Sequence, residues 1–393
     1  MVFFEEINHR IYVLKRGAKV ITLPSEIIGY YSLKTIINYF KYFSQRAIIQ
    51  AVILIAALPL IAQDRAVWVT AWDLNSPAKI DKMIDDMQSH GFNKLFVQTR
   101  YRGDALYIPN RIDSTYSNTE SRCYLLSDDG FDPLAYTIEK AKPKGLKVYA
   151  WVTTFVATPH DLSKIDSTHV FYRHPEWFLR DRSGKPIAFN EYEGAFLDPS
   201  LPEVRDYTLN ILADIVVNYD IDGLQLDYIR YPDSIFGWNS LSKMLSGSLI
   251  GFDFGLWKQS KINSFVNLTY ITLKNIKPEL EISASVISDR NKALNKYSQN
   301  WLFWLEEGYI DRVYVMAYNT SNTTFGDLIK RLNSTGQKHK MTIIVRAWQE
   351  GRSYHFSQIN DKLGILKMMG FKDIGYYNYA GLINQGYLKH IKF

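Results

Sequence analysis

The chain has 393 residues, 47% hydrophobic and 22% charged, which excludes a disordered or low-complexity protein and fits one large α/β barrel or two smaller domains. Its formal charge of +6 is no sign of a nucleic-acid-binding face: residues 1–46 carry seven Lys/Arg against three Asp/Glu, a surplus of four, which leaves two for the rest of the chain and no basic stripe to track phosphates. A single cysteine, Cys123, excludes an internal disulfide framework and a thiolate metal cluster.

Residues 47–62 form an apolar run broken only by Gln50 and Pro59, with Lys41 and Arg46 before it and Ala62-Gln63 just ahead of the next charge, Asp64. Basic flank, short apolar centre and small residue make the pattern of an export signal, and sixteen residues fall short of the roughly 20 that span a bilayer. Residues 1–46 are long for the basic region of a signal peptide, so two readings stay open. One is a cleaved signal whose start codon is set too far upstream; the other is an uncleaved anchor with a cytoplasmic segment. The chain thus divides into a leader, 1–63, and a domain, 64–393, with membrane contact expected only through the leader.

From Arg65 on, strand and helix signals alternate. A strand over 65–72 precedes a helix over 77–90 stopped by Gly91; a second strand covers 94–101; a helix over 133–144, ended by Gly145, leads to a third strand over 146–155. A long insertion, 157–202, follows the third strand. A helix over 204–219, with Leu209, Leu212, Ile215 and Val216 at helical spacing, feeds the fourth strand, 222–227. Further strands are expected at 281–288, 311–318, 342–348 and 373–380, with helices at 257–277, 298–307, 325–332 and 356–369. Eight strand–helix units in succession predict a closed (β/α)8 TIM barrel.

Parity then sorts side chains. Val67, Val69 and Ala71, or Val313, Val315 and Ala317, share an aliphatic parity that packs under helices. In the fourth strand Leu224 and Leu226 do so, leaving Gln225 and Asp227 to face the barrel axis. At the C-terminal ends the inward parity gives Trp72, Arg100, Thr153, Asp227, Asp289, Tyr318, Trp348 and Tyr379, all expected to converge on one mouth.

Several stretches together resemble the family-10-like glycosyl hydrolases, a group of exported bacterial barrel proteins. They are Val97-Gln-Thr-Arg100-Tyr-Arg102-Gly-Asp104-Ala-Leu-Tyr107, His174-Pro-Glu-Trp177 with 181–185, Leu197-Asp198-Pro-Ser200-Leu-Pro-Glu-Val-Arg205, the run 222–232, and Val315-Met-Ala-Tyr318. The resemblance implies cleavage of glycans, naked peptidoglycan strands included. A more distant resemblance is to chitinase-type barrels, which place a Glu two residues beyond the last Asp of the fourth strand. Here that position is Ile229, so their substrate-assisted chemistry does not carry over.

Breaking a glycosidic bond takes one carboxylic acid to protonate the leaving oxygen and one carboxylate to act as nucleophile or base. Asp227 is the expected carboxylate, kept ionised by Arg100 and Arg230. Asp104 is the favoured acid, with Asp289 and Glu350 as alternatives. Trp72, Trp151, Tyr318, Trp348 and Tyr379 are expected to position the sugar, Asn319 and Gln349 to bind its hydroxyls, and Asp198 to reach the cleft from the insertion; the 15% aromatic share suits such stacking. His160, His169 and His174 lack ligand spacing and no phosphate-cradling Gly loop occurs, so neither catalytic metal nor nucleotide cofactor is expected. The expected partner is a polysaccharide, cleaved by the barrel or, in the alternative, bound by a barrel without catalysis.

Overall fold

The structure is a computed structural model that describes the backbone of residues 3–7, 11–16 and 19–24 and, with side chains, residues 63–128, 130–318, 321–349 and 354–391. It separates into two units, Met1–Ala62 and Gln63–Phe393. In the first, strands Phe3–Ile7, Ile11–Arg16 and Lys19–Pro24 form an antiparallel meander that the leader reading did not anticipate. The apolar run 47–62, Asn319 and Glu350 lie outside the described residues.

The second unit is the expected barrel. Its strands are β1 (Arg65–Val69), β2 (Lys94–Tyr101), β3 (Lys147–Thr153), β4 (Gly223–Asp227), β5 (Glu281–Ile287), β6 (Arg312–Ala317), β7 (Met341–Arg346) and β8 (Ile374–Tyr377). Each pairs in parallel with its neighbours, and β8 closes on β1 through Ile374↔Arg65, Gly375↔Ala66 and Tyr376↔Val67. The outward parity, with Val67, Val69, Leu224, Leu226, Val313 and Val315, is fully buried against the helices.

Aromatic rings, more than branched aliphatics, fill the inside. Trp68 stacks on Phe96 at 4.4 Å, and Phe96 also meets Tyr149 at 4.7 Å and Tyr314 at 4.6 Å. Each such pair adds about 0.5–1.5 kcal/mol beyond its buried area. Glycine on the inward parity makes the room: a Cβ at Gly375 would stand 2.6 Å from the Trp68 ring, and one at Gly223 would run into Tyr149. At the N-terminal end, Glu281 closes the barrel, with Lys94 at 3.1 Å and the Tyr314 hydroxyl donating at 2.9 Å.

Two predicted strands are shorter than their patterns suggest. After β1 the chain turns, with Asp73 N–H on Thr70 O at 2.9 Å and the Thr70 hydroxyl donating to Asp73 Oδ2 at 2.9 Å, so Trp72 stands beyond the sheet. After β8, Asn378 accepts from Gly381 N–H and caps a helix, Tyr379–Asn384, where the strand was expected to run on. The insertion after β3 adds its apolar residues, among them Phe155, Phe178, Leu179, Ile187 and Phe196, to the main core and is stitched by antiparallel bridges Val156↔Phe196 and Phe178↔Leu197.

Candidate active site

Asp227 is the last residue of β4 and lies opposite Thr153 of β3, on the inward side, 8% exposed. Its Oδ2 accepts from Trp151 Nε1 at 2.9 Å and its Oδ1 from the Tyr228 N–H at 2.8 Å. Tyr228 adopts φ +52°, a left-handed turn that bends the chain so that the Arg230 guanidinium returns over the Tyr228 ring at 5.2 Å. Burial pushes the Asp227 carboxyl up to about 6; Trp151, the Tyr228 amide and Arg230 oppose that shift, and the charge of Glu193 adds to it. Arg230 thus acts in the expected direction, but burial outweighs it, and the group keeps its proton further into the mildly acidic range than an ordinary aspartate.

Three rings form a wall beside it. Tyr318 meets Trp348 edge-on at 4.9 Å and Tyr377 at 5.7 Å, Trp348 meets Tyr377 at 5.7 Å, and Tyr377 meets Trp151 at 6.0 Å. Arg346 fixes Trp348 by donating Nε to its carbonyl at 2.8 Å and lying over its ring at 4.9 Å. A carboxyl raised by burial and walled by aromatic faces suits a pyranose with one apolar face and a glycosidic oxygen needing a proton.

Arg100 is not at this mouth. The β2–β3 register slips at Thr99, so Gln98 pairs with inward Trp151 but Arg100 pairs with outward Val152. Fully buried behind the barrel, Arg100 donates to Glu120 at 2.6–2.9 Å, and Tyr207 donates to Glu120 at 2.7 Å. It is a structural ion pair. Arg230 is 6% exposed, cradled by Tyr297 at 4.8 Å and Phe196 at 5.7 Å, its Nη2 2.9 Å from Glu193 Oε1.

The predicted acids bond elsewhere than to Asp227. Asp104 is 3% exposed, its Oδ1 3.7 Å from His169 Nε2, and burial followed by the charge of Glu120 pushes it up to about 8. Asp289 is exposed and caps the helix Arg290–Tyr297, accepting from Lys292 N–H at 2.9 Å. Asp198 is turned into the insertion, accepting from Ser200 N–H at 3.0 Å and Ser200 Oγ at 2.7 Å.

Among the aromatics, Trp151, Tyr318 and Trp348 line the mouth as expected, while Trp72 is 50% exposed and edge-on to Tyr101 at 5.3 Å. Tyr379 is buried in the helical layer, its hydroxyl donating to Asp86 at 2.7 Å; the ring facing the mouth is Tyr377, of the same parity but one pair earlier. Gln349 is exposed. Sequence reasoning missed Tyr377, Tyr228 and Glu193; for Glu193 the signal was the acidic and aromatic run Glu191-Tyr192-Glu193 ending at Gly194 in a segment with no strand or helix period.

A family model described as Glycosyl hydrolase-like 10 matches residues 63–348. The chain is 25% identical over 291 residues to glycosyl hydrolase YngK of Bacillus subtilis (strain 168), a match covering 65% of this chain and 54% of that protein. It is also 25% identical over 268 residues to glycosyl hydrolase DigH of Escherichia coli (strain K12), covering 61% and 57%. It thus spans little more than half the length of these relatives. In fold it is similar to the PgaB (BpsB) glycoside hydrolase domain from Bordetella bronchiseptica, with a TM-score of 0.64 at 14% identity over 83% of this chain and 97% of that one. It is also similar to the catalytic domain of a beta-amylase from Paenibacillus polymyxa, with a TM-score of 0.53 at 13% identity over 82% and 94%. With more than half of its residues matched by the family model, this chain belongs to the Glycosyl hydrolase-like 10 family.

Proposed function

We propose that the protein hydrolyses O-glycosidic bonds of a bacterial envelope polysaccharide, glycan strands of peptidoglycan being the substrate class, with Asp227 as the acid that protonates the leaving oxygen. The observation that carries this reading is the Asp227 carboxyl itself: inward at the barrel mouth, bonded by Trp151 and the Tyr228 amide, and raised by burial to about 6. An acid with that value is substantially protonated in mildly acidic solution and still gives its proton up readily. Trp348, Tyr318 and Tyr377 supply the faces on which a sugar ring stacks. A second carboxylate completes the reaction, and the leader pattern of 47–62 supports action outside the cytoplasm.

The test is release of reducing ends from peptide-free glycan strands by the wild-type and Asp227→Asn proteins. Wild-type turnover that the substitution abolishes is the expected result; equal rates would remove Asp227 from the mechanism. A second reading, a barrel that binds glycans without cleaving them, is favoured by Asp104 facing His169 and Asp289 capping a helix rather than bonding at Asp227, and turnover by purified protein would end it.

A further inference from the structure

The reaction proposed above needs a second carboxylate, and the groups gathered around Asp227 include one that no barrel strand supplies. Glu193 stands on the insertion. Its loop is held in place: Arg102 Nη1 donates to the Glu193 carbonyl and to Thr158 O at 3.2 Å, and the His160 ring bonds Tyr192 O at 3.0 Å. Two residues on, Ala195 donates its N–H to Thr158 Oγ1 at 2.7 Å. Two left-handed residues shape the turn, Tyr192 at φ +51° and Gly194 at φ +126°, and a Cβ on Gly194 would collide with Thr158 O. A tyrosine in that region costs roughly 1–2 kcal/mol, strain that persists only where surrounding bonds impose it and that concentrates at functional sites.

The side chain of Glu193 is directed at Arg230. Three rings, Tyr228, Phe196 and Tyr297, surround the guanidinium, and its charged pair is Glu193, at 2.9 Å. Tyr228 in turn gives its N–H to Asp227, so Asp227, Tyr228, Arg230 and Glu193 form one connected patch at the mouth. Within it Asp227 is enclosed, whereas the Glu193 side chain is 39% exposed, so water reaches one carboxyl and is largely kept from the other.

We propose that Glu193 is the second carboxylate of this site and acts as the base that activates water, an inference that rests on Asp227 being the acid. The Asp227 carboxyl gives its proton to the glycosidic oxygen as the bond from that oxygen to the anomeric carbon breaks. The Glu193 carboxylate takes a proton from a water whose oxygen forms the new bond to that carbon, on the face opposite the leaving sugar. Asp227 then regains, and Glu193 loses, one proton through solvent. Arg230 is a positioning residue: it holds the carboxylate at the mouth.

The experiment uses the full chain with peptide-free peptidoglycan glycan strands. Glu193→Gln is expected to lower turnover roughly 100-fold or more with its thermal midpoint kept near that of wild type. Azide is expected to restore turnover to Glu193→Ala, because an anionic nucleophile needs no base, and to yield a glycosyl azide; the wild-type product is expected to appear first with inverted anomeric configuration by NMR. Wild-type rates in Glu193→Gln, loss that azide does not rescue, or a retained anomer would each overturn the role of Glu193 while leaving the acid role of Asp227 standing. Unchanged turnover in Asp227→Asn would instead bring down the reading beneath it.

Discussion

Each end of the barrel holds a carboxyl pressed by burial, and partners decide what becomes of it. At the closed end, burial alone would raise the Glu281 carboxyl, yet Lys94 and Arg312, with the Tyr314 hydroxyl, bring it below its ordinary value. At the open end the same penalty acts on Asp227, but its partners are a tryptophan N–H, one backbone amide and an arginine already engaged with Glu193, so burial prevails and the carboxyl sits at about 6. A compensated charge ties strands together, whereas an under-compensated acid keeps a proton to give away.

That contrast is open to being broken. The largest effect expected is on turnover: Asp227→Asn should cut initial rates by roughly 10²–10⁴-fold, while Glu281→Gln, at the other end, should leave them within about twofold per folded molecule. Comparable losses from both would erase the functional distinction between the ends. Next in size is stability. Lys94→Met leaves Glu281 beneath the barrel without its nearest cation and should cost roughly 3 kcal/mol, the low end for a broken buried pair because Glu281 keeps some exposure, read from urea unfolding. Arg100→Met should cost at least as much, since neither the Arg100 nor the Glu120 side chain is exposed.

A third prediction runs in the opposite direction. The folded-state value of Asp227, about 6, lies above its ordinary 3.8, so the folded protein holds this proton more tightly than the unfolded chain. Its contribution is therefore present at low pH and lost as pH rises through roughly 4 to 6. Asp227→Asn should accordingly be more stable than wild type at pH 7.5, by at most roughly 3 kcal/mol, with the gain vanishing near pH 4. Thermal unfolding at both pH values checks it, and a substitution that destabilises at pH 7.5 would mean the charge is well solvated after all. Smallest is the wall: Trp348→Ala should raise KM roughly 2–10-fold, the worth of one stacked ring, and leave kcat nearly unchanged in steady-state assays.

The eight strands were legible because each carries an aliphatic parity such as Val313, Val315 and Ala317 that has nowhere to go but under a helix. Asp227 was legible for the complementary reason, a polar residue on the parity opposite Leu224 and Leu226. Arg100 was not, since a register slip of one residue at Thr99 reverses the face and leaves no mark in the pattern. Tyr379 failed through a helix cap: with Asn378 as the cap, the strand ends three residues early, at Tyr377. Glu193 had no period to announce it, because its position comes from bonds to Thr158, Arg102 and Arg230, residues far from it in sequence. Residues placed by a strand's alternation are readable from the chain, and those placed by a loop's tertiary bonds are not.

The measurement that bears most directly on the account is the pH dependence of kcat/KM for wild-type protein on peptide-free glycan strands. With Asp227 as the acid, kcat/KM falls toward alkaline pH from near 6, approaching tenfold per unit, as the carboxyl loses the proton it must deliver. A profile that is flat or rising between pH 6 and 8 would contradict it.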